Sequence, residues 1–150
     1  MAHSYASLLV HCVFSTKGRE PAIATGLRER LWEYIGGVAR ENRMLAHAVG
    51  GTENHVHMLL SLPTTITVSR AVQMVKGPSS RWVSTTFPQF PNFRWQKGYG
   101  AFTVSVSHMD RTLAYIRNQE THHANTSFEE EFVGFLNKHE VEYDEKYLWD

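Results

Sequence analysis

The sequence lacks several features that would assign it directly to a structural class of proteins. It contains one cysteine, Cys12, which excludes an internal disulfide framework. No stretch approaches the roughly 18 apolar residues that a membrane-spanning helix needs, and the opening MAHSYASLLV lacks the basic start of a signal peptide. The composition is that of a globular protein. We therefore expect one domain, residues 1–150, in the cytoplasm.

Acidic residues are missing from the middle of the chain, although the formal net charge is zero. Residues 54–109 carry only basic charges, whereas residues 110–150 carry four basic and ten acidic side chains. A long segment with one sign of charge favours a polyanionic partner such as nucleic acid, but a solvated segment without a partner explains it equally well. The bases of the segment are Arg70, Lys76, Arg81, Arg94 and Lys97.

Hydrophobic periodicity predicts the order strand, helix, strand, strand, helix, strand, helix, with a further amphipathic helix near the C-terminus. This order is typical of an α+β, ferredoxin-like (RRM-like) domain with an antiparallel sheet and helices on one face. The predicted strands are 4–16, 45–49, 55–62 and 101–106, and the helices are 25–44, one after Pro63, 108–123 and one after Ser127.

Local signals predict where several helices begin and break. Ser107 with Asp110, and Ser127 with Glu130, match the capping-box spacing at a helix start. Pro78 predicts a kink or an interruption in the second helix, because an interior proline costs about 3 kcal/mol. The acidic and aromatic tail VEYDEKYLWD is predicted to pack against the domain.

Two histidines stand one residue apart in the stretch ENHVHMLLSL. On a strand, His55 and His57 would point to the same face, roughly 6.6 Å apart along the strand, where both could bind one divalent ion. The spacing is weak evidence alone, since a chain with nine histidines contains such a pair by chance about every second time. A metal site therefore needs a third ligand from elsewhere in the chain.

The helix predicted after Ser107 offers that ligand and a reactive group. Tyr115 and Gln119 are four residues apart, hence neighbours on one face, and His122 continues the row. Tyrosine forms covalent intermediates in some enzymes, but its usual pKa near 10 requires that it be activated. A surface tyrosine packed on a neighbour is the alternative. The apolar stripe of this helix should face the core and consists of Met109, Leu113 and Ile116.

These motifs together resemble the single-tyrosine HUH transposases, which include insertion sequence 200/605 type transposases and REP-associated tyrosine transposases. The resemblance rests on HVHMLL, on YIRNQ and on the opening LLVHCVFSTKGR, and it extends through FRWQKGYGAFTVSVS and QETHH. It implies an HUH endonuclease fold of the ferredoxin-like type. The sequence departs from the pattern at Asn54, where an acidic residue is more usual before the first histidine.

The resemblance implies a role for each motif. His55 and His57 would bind Mg²⁺ or Mn²⁺ with Gln119 as the third ligand, and no nucleotide cofactor would be needed. Tyr115 would attack single-stranded DNA, giving a 5′-phosphotyrosine link and a free 3′-OH that later reseals the strand. The implied partners are single-stranded DNA, with a hairpin, and a second copy of the chain in a homodimer.

DNA contacts are expected along the basic segment, where aromatic residues alternate with cations. Two more cations follow the first strand, so the candidate DNA-binding residues are Lys17, Arg19, Arg70, Lys76, Arg81, Arg94 and Lys97. His122 and His123 are left open, because a helix C-terminus also favours histidine. The alternative function is a domesticated, non-catalytic protein of this fold that binds DNA hairpins; an RNA-binding domain would not need the histidine pair.

Overall fold

The computed structural model describes residues 2–149, which are built around a four-stranded antiparallel sheet. The strands are β1 (Leu9–Ser15), β2 (Leu45–Gly51), β3 (His55–Ser61) and β4 (Gly100–Val104), in the spatial order β2-β3-β1-β4. Helix α1 (Thr25–Glu41) connects β1 to β2, and helix α2 (Val68–Thr86) connects β3 to β4. The predicted α+β, ferredoxin-like fold is confirmed.

The two crossover helices pack on one face of the sheet and form the larger core. Side chains alternate between faces along each strand, so Phe14, Val56 and Met58 enter this core while their neighbours point away from it. The main partners from the helices are Leu27, Leu31, Ile35, Ala71, Val72, Val75 and Val83.

The C-terminal third of the chain covers the opposite face of the sheet. It contains α3 (Met109–Arg117), the single turn α4 (Gln119–His122) and α5 (Phe128–Lys138). The prediction of helices on one face holds for the crossover helices but omits this second layer. Because this layer covers the second face of the sheet, β1 is buried at all seven positions. Leu148 and Trp149 of the tail pack into the same layer, as predicted.

The predicted helix 108–123 is divided, and its predicted cap is wrong. A 3-10 turn precedes α3, and Asn118 separates α3 from α4. The Ser107 hydroxyl contacts Ser105 and His108 instead of a helix N–H, so it cannot cap α3. The second capping box is confirmed, because the Ser127 hydroxyl accepts a hydrogen bond from the Glu130 backbone N–H at 3.1 Å.

Helix α2, the longest helix in the described residues, runs through Pro78 without the predicted interruption. Proline removes one backbone donor, but residues on both sides of it stay buried against the sheet, from Ala71 to Val83. The Ser79 hydroxyl donates to the Val75 carbonyl oxygen at 2.6 Å in the turn that contains the proline. Burial of the apolar face therefore outweighs the local cost. Neither α2 nor any other helix within residues 2–149 is long and apolar enough to cross a membrane.

Candidate functional site

Strand β3 presents two fully buried imidazoles on the face of the sheet that α3 and α5 cover. His55 and His57 are both 0 % exposed, and their ring centroids lie 5.1 Å apart. Val56 between them points into the larger core. The sequence-based expectation that the two rings share one face is therefore confirmed as geometry.

Each imidazole has a polar partner behind it, which orients the ring. Nδ1 of His55 lies 2.9 Å from Asn54 Oδ1 and 3.0 Å from Thr52 Oγ1. Nδ1 of His57 lies 2.8 Å from Nε2 of His11, which is itself buried. Both Nε2 atoms thus face the C-terminal layer, an arrangement usual for histidines that bind a metal ion. The amide oxygen of Asn54 serves as the outer partner although it is not an acid.

Helix α3 is held against the sheet, and this fixes the position of Tyr115. Ile116 is fully buried beside Leu9 and Leu59, and its carbonyl lies close to Gly50 of β2, where a Cβ atom would be only 2.4 Å from the Ile116 oxygen. Tyr115 is half-buried, and its hydroxyl lies 3.3 Å from His122 Nε2. The phenol O–H donates a short hydrogen bond to Glu131 Oε2.

Gln119 lies in the same cluster, one turn after Tyr115, and is almost fully buried. Its amide oxygen is 2.9 Å from His55 Nε2, and its amide nitrogen donates to Glu131 Oε2 at 3.1 Å. The structure therefore brings together the four residues that the sequence predicted to form a site. Their chemical roles stay predictions.

Glu131 of α5 is the central residue of the cluster, and the sequence interpretation missed it. Oε1 lies 2.8 Å from His57 Nε2 and 3.5 Å from His55 Nε2, while Oε2 lies 3.1 Å from His123 Nε2. Glu131 lies three residues after Phe128 and four before Phe135, hence on the apolar face of α5. An acid on that face is the signal that could have found it. An acid at a core-facing position needs a partner, because an unpaired buried charge is costly.

Burial and the central carboxylate determine the protonation of the cluster. Burial lowers the pKa of His11 and of His55 to about 3 and also lowers the pKa of His57, so these imidazoles are neutral. Burial alone would raise the pKa of Glu131, but its contacts with the histidines hold that pKa well below its usual range.

The phenol of Tyr115 is protonated in this arrangement. Burial, followed by the hydrogen bond to Glu131 and the charge of that carboxylate, raises the pKa of Tyr115 above its usual range. The carboxylate oxygen that accepts the hydrogen bond of this protonated phenol is Glu131 Oε2.

The donor atoms of the cluster fit a divalent ion. One ligand atom from each of four side chains lies within 4.8 Å of the others, and the four are His55, His57, His123 and Glu131. The amide oxygen of Gln119 adjoins them at His55. Such a mixture of imidazole nitrogens with carboxylate and amide oxygens suits Mn²⁺, which accepts both kinds of ligand, and the oxygen atoms also suit Mg²⁺.

The predicted DNA-binding cations are not all near this cluster. Arg70, Arg81, Arg94 and Lys97 are exposed, but Arg70 and Arg81 belong to α2, on the other face of the sheet. Arg81 and Arg94 line one hollow there, of about 400 Å³. Contacts from these residues would hold DNA at a distance from Tyr115.

The remaining three predicted cations differ in how far they are already engaged. Lys76 is half-buried and donates to the carbonyl oxygens of Gln96, Lys97 and Gly98, so its contribution is structural. Arg19 pairs with Glu129 at 3.3 Å and lies over the Trp149 ring. Lys17 is exposed at the end of β1.

The comparison with protein families gives one match. The family model described as "Transposase IS200 like" matches residues 4–119, a range that contains His55, His57, Tyr115 and Gln119 but ends before Glu131. No curated protein matches the chain.

Two solved structures share the fold. A Deinococcus radiodurans R1 protein, provisionally described as a transposase, is 24 % identical with a TM-score of 0.65, covering 79 % of this chain and 96 % of the other. A REP-associated tyrosine transposase bound to a REP hairpin is 17 % identical with a TM-score of 0.59, covering 82 % of this chain and 73 % of the other.

Proposed function

The chain belongs to the family of IS200-like transposases, and from that premise we propose that it cleaves and rejoins single-stranded DNA through a covalent link to Tyr115. The observation that carries the proposal is the hydrogen bond from the Tyr115 hydroxyl to Glu131, within a cluster that also holds His55, His57 and Gln119. A nucleophile beside a proton acceptor that other groups hold in place is the usual arrangement for nucleophilic catalysis.

In the cleavage step, the Tyr115 oxygen attacks the scissile phosphorus while its proton passes to Glu131 Oε2 and from there to solvent. The new bond joins the phenolic oxygen to the 5′ phosphate, and the bond from phosphorus to the 3′ oxygen breaks. The leaving 3′ oxygen takes a proton from solvent. Rejoining reverses these events: a DNA 3′-OH attacks and gives its proton to solvent, and the phenol regains a proton from solvent by way of Glu131 Oε2. One phosphodiester bond is exchanged for another, so no nucleotide cofactor is required.

The divalent ion would be held by His55, His57 and Gln119, with Glu131 and His123 close enough to complete the set. When bound, it supplies positive charge that polarises the scissile phosphate. The chain's own part is to hold the rings rigidly, since Asn54, Thr52 and His11 orient the two imidazoles from behind. Mn²⁺ and Mg²⁺ are the ions that we expect.

A DNA hairpin is the partner that we propose for the more distant cations. The REP-associated transposase of the same fold is bound to a REP hairpin, and exposed arginines here line a hollow across the sheet from Tyr115. A folded DNA element held there would position the adjoining single strand for cleavage. Arg81 and Arg94 are the residues we expect to contact its backbone.

We also propose that the chain acts as a homodimer, although one chain carries the whole cluster. Tyr115, Gln119 and Glu131 contact the histidines of their own chain. Light scattering of the purified protein with and without DNA tests this, and a monomer in both conditions would count against the dimer.

The proposed function is tested by incubating labelled single-stranded DNA from the flanks of the encoding gene with the protein and Mn²⁺ or Mg²⁺. On a denaturing gel, we expect a covalent protein–DNA adduct that disappears with Tyr115→Phe, with His57→Ala and with a chelator. Tyr143→Phe, an exposed tyrosine of the tail, is the matched control and should retain the adduct. Hairpin binding without any adduct in the wild type would indicate the non-catalytic alternative.

A further inference from the structure

A hollow of about 500 Å³ opens next to Tyr115, between β4, α3 and α5. We call it the α3–α5 hollow; its lining includes Phe102, Arg111, Tyr115, Phe135, Lys138 and His139. Its volume lies within the range of about 300–1,000 Å³ that is typical of pockets for small organic ligands. Neither the family resemblance nor the basic segment 54–109 accounts for it.

The α3–α5 hollow is basic although it lies in the acid-rich part of the chain. Arg111 and Lys138 are exposed, and neither has a salt-bridge partner among residues 2–149. None of the residues that line the hollow is acidic. Unpaired cations around a cavity without carboxylates favour an anionic ligand.

Aromatic rings form one wall of the α3–α5 hollow. Phe102 and Phe135 are stacked with centroids 5.3 Å apart and an interplanar angle of 18°. His139 lies 4.6 Å from Phe102 at 30°. Phe102 is 4 % exposed, so the rings of this wall that a base can reach are Phe135 and His139. Partly exposed rings beside unpaired cations suit a nucleotide, because the base can pack on a ring while the cations hold the phosphate.

A second hollow, of about 210 Å³, also borders Tyr115. Both are lined by Tyr115, Phe135 and Lys138. A DNA strand whose scissile phosphate lies at the Tyr115 hydroxyl would therefore have one space available on each side. Lys138 lines both hollows, so its cation is available to a phosphate held at Tyr115.

We propose that the α3–α5 hollow binds the nucleotide next to the scissile phosphate, with Arg111 on its backbone phosphate and Lys138 on the phosphate held at Tyr115. The proposal rests on the proposed function, and it names the part of the substrate that this site receives. It assigns to α3 and α5 the DNA contacts at the reacting centre, separate from those predicted on α2.

The test measures binding without cleavage, in the Tyr115→Phe background, with a fluorescent single-stranded oligonucleotide from the flank of the encoding gene. Arg111→Gln and Lys138→Gln should each weaken binding by about three- to tenfold and reduce the slope of log affinity against log salt by about 0.7, the value for one phosphate contact on a single strand. The matched controls are Arg117→Gln, on the same helix, and Lys146→Gln, in the tail; both should bind within about twofold of the parent.

Affinities of Arg111→Gln and Lys138→Gln that equal those of the controls would overturn the proposal. The adduct assay separates this result from failure of the proposed function. A wild-type adduct together with unchanged affinity in both variants rejects the hollow and keeps strand cleavage. Weaker binding in both variants, with no adduct from the wild type, keeps the hollow as a DNA site and rejects cleavage.

Discussion

At the scale of single residues, Glu131 connects the predicted nucleophile to the histidine cluster. One carboxylate oxygen contacts both strand histidines, and the other accepts the Tyr115 hydrogen bond. This residue lies outside the range that the family model matches. The C-terminal helix thus contributes a carboxylate to the proposed site from beyond the part of the chain that the family model matches.

Replacing Glu131 by Gln should lower the rate of adduct formation by about 100-fold, because general-base catalysis contributes about that factor or more. Glutamine keeps the shape and can still accept a hydrogen bond, but it cannot take the proton. The rate is measured by quenching the labelled-DNA reaction at intervals with saturating metal. Glu142→Gln, an exposed acid of the tail, should react as the wild type does. A Glu131→Gln rate within twofold of the wild type would rule out the proton transfer.

Metal binding should depend on the strand histidines and much less on other imidazoles. Titration calorimetry with Mn²⁺ should show one site in the wild type and a loss of affinity of at least about tenfold in His55→Asn and His57→Asn. His47→Asn is the control, since His47 contacts only Ser61 on a neighbouring strand. Equal affinity in all of these proteins would place the ion elsewhere.

The sequence predicted the positions of His55, His57, Tyr115 and Gln119 because their relations are local. Alternation on a strand and the four-residue spacing on a helix fix which side chains share a face. Glu131 and His123 could not be predicted in this way, because their proximity depends on how α5 packs across β3. Arg111 and Lys138 were not predicted as DNA-binding residues, because the net charge of a segment does not show where its individual charges lie.

At the scale of elements, the close approach of β2 to α3 determines the position of Tyr115. Gly50 lies against the Ile116 carbonyl, next to Tyr115 in the chain, and a methyl group there would overlap it. Small residues at such contacts allow two elements to approach more closely than side chains would permit.

Gly50→Ala should therefore displace α3, lower the free energy of unfolding by about 1–3 kcal/mol and reduce adduct formation. Gly36→Ala in the middle of α1 is the matched control, because a Cβ atom at that position meets nothing within 4 Å. It should stabilise the protein by about 0.5–1 kcal/mol, as alanine favours a helix interior. Urea unfolding of both variants gives the comparison, and a Gly50→Ala protein as stable and active as the wild type would contradict the argument.

Helices and strands were predicted well where the apolar pattern extends over many residues. They were predicted poorly where a single packing contact determines the course of the backbone. The order of strands and crossover helices follows from apolar patterning and is confirmed. Pro78 did not interrupt α2, because burial along both halves of the helix exceeds the cost of one missing donor. The division at Asn118 had no strong signal in the sequence.

At the scale of the whole molecule, buried neutral histidines make the fold sensitive to acid. The pKa values of His11 and His55 lie at about 3 because burial disfavours the charged ring, against 6.5 for an exposed imidazole. Below pH 6.5 these histidines are protonated in the unfolded chain but stay neutral in the folded chain, so a fall in pH favours unfolding. The stability that these groups contribute is complete above that pH and is lost as the pH falls towards 3.

The urea midpoint, measured in a chelator, should thus decrease from about pH 7 to about pH 5. The corresponding free energy of unfolding should fall by at most about 1.4 kcal/mol per pH unit for each buried histidine. His11→Gln should reduce this slope, whereas His108→Asn, an exposed histidine, should leave it unchanged. A midpoint independent of pH in this interval would contradict the burial argument. We also predict that residues 1–150 form one domain, which should unfold in a single transition.

The central claim is that Tyr115 becomes covalently joined to a DNA 5′ phosphate, and the most direct measurement is the mass of the peptide that carries it. Trypsin cuts after Arg111 and Arg117, which releases Thr112–Arg117 with Tyr115 as its only tyrosine. After the reaction, nuclease trimming and digestion, we predict this peptide with an added nucleotide on Tyr115, located by fragmentation. An unmodified peptide in a sample that contains the gel adduct, or the nucleotide on another residue, would contradict the account.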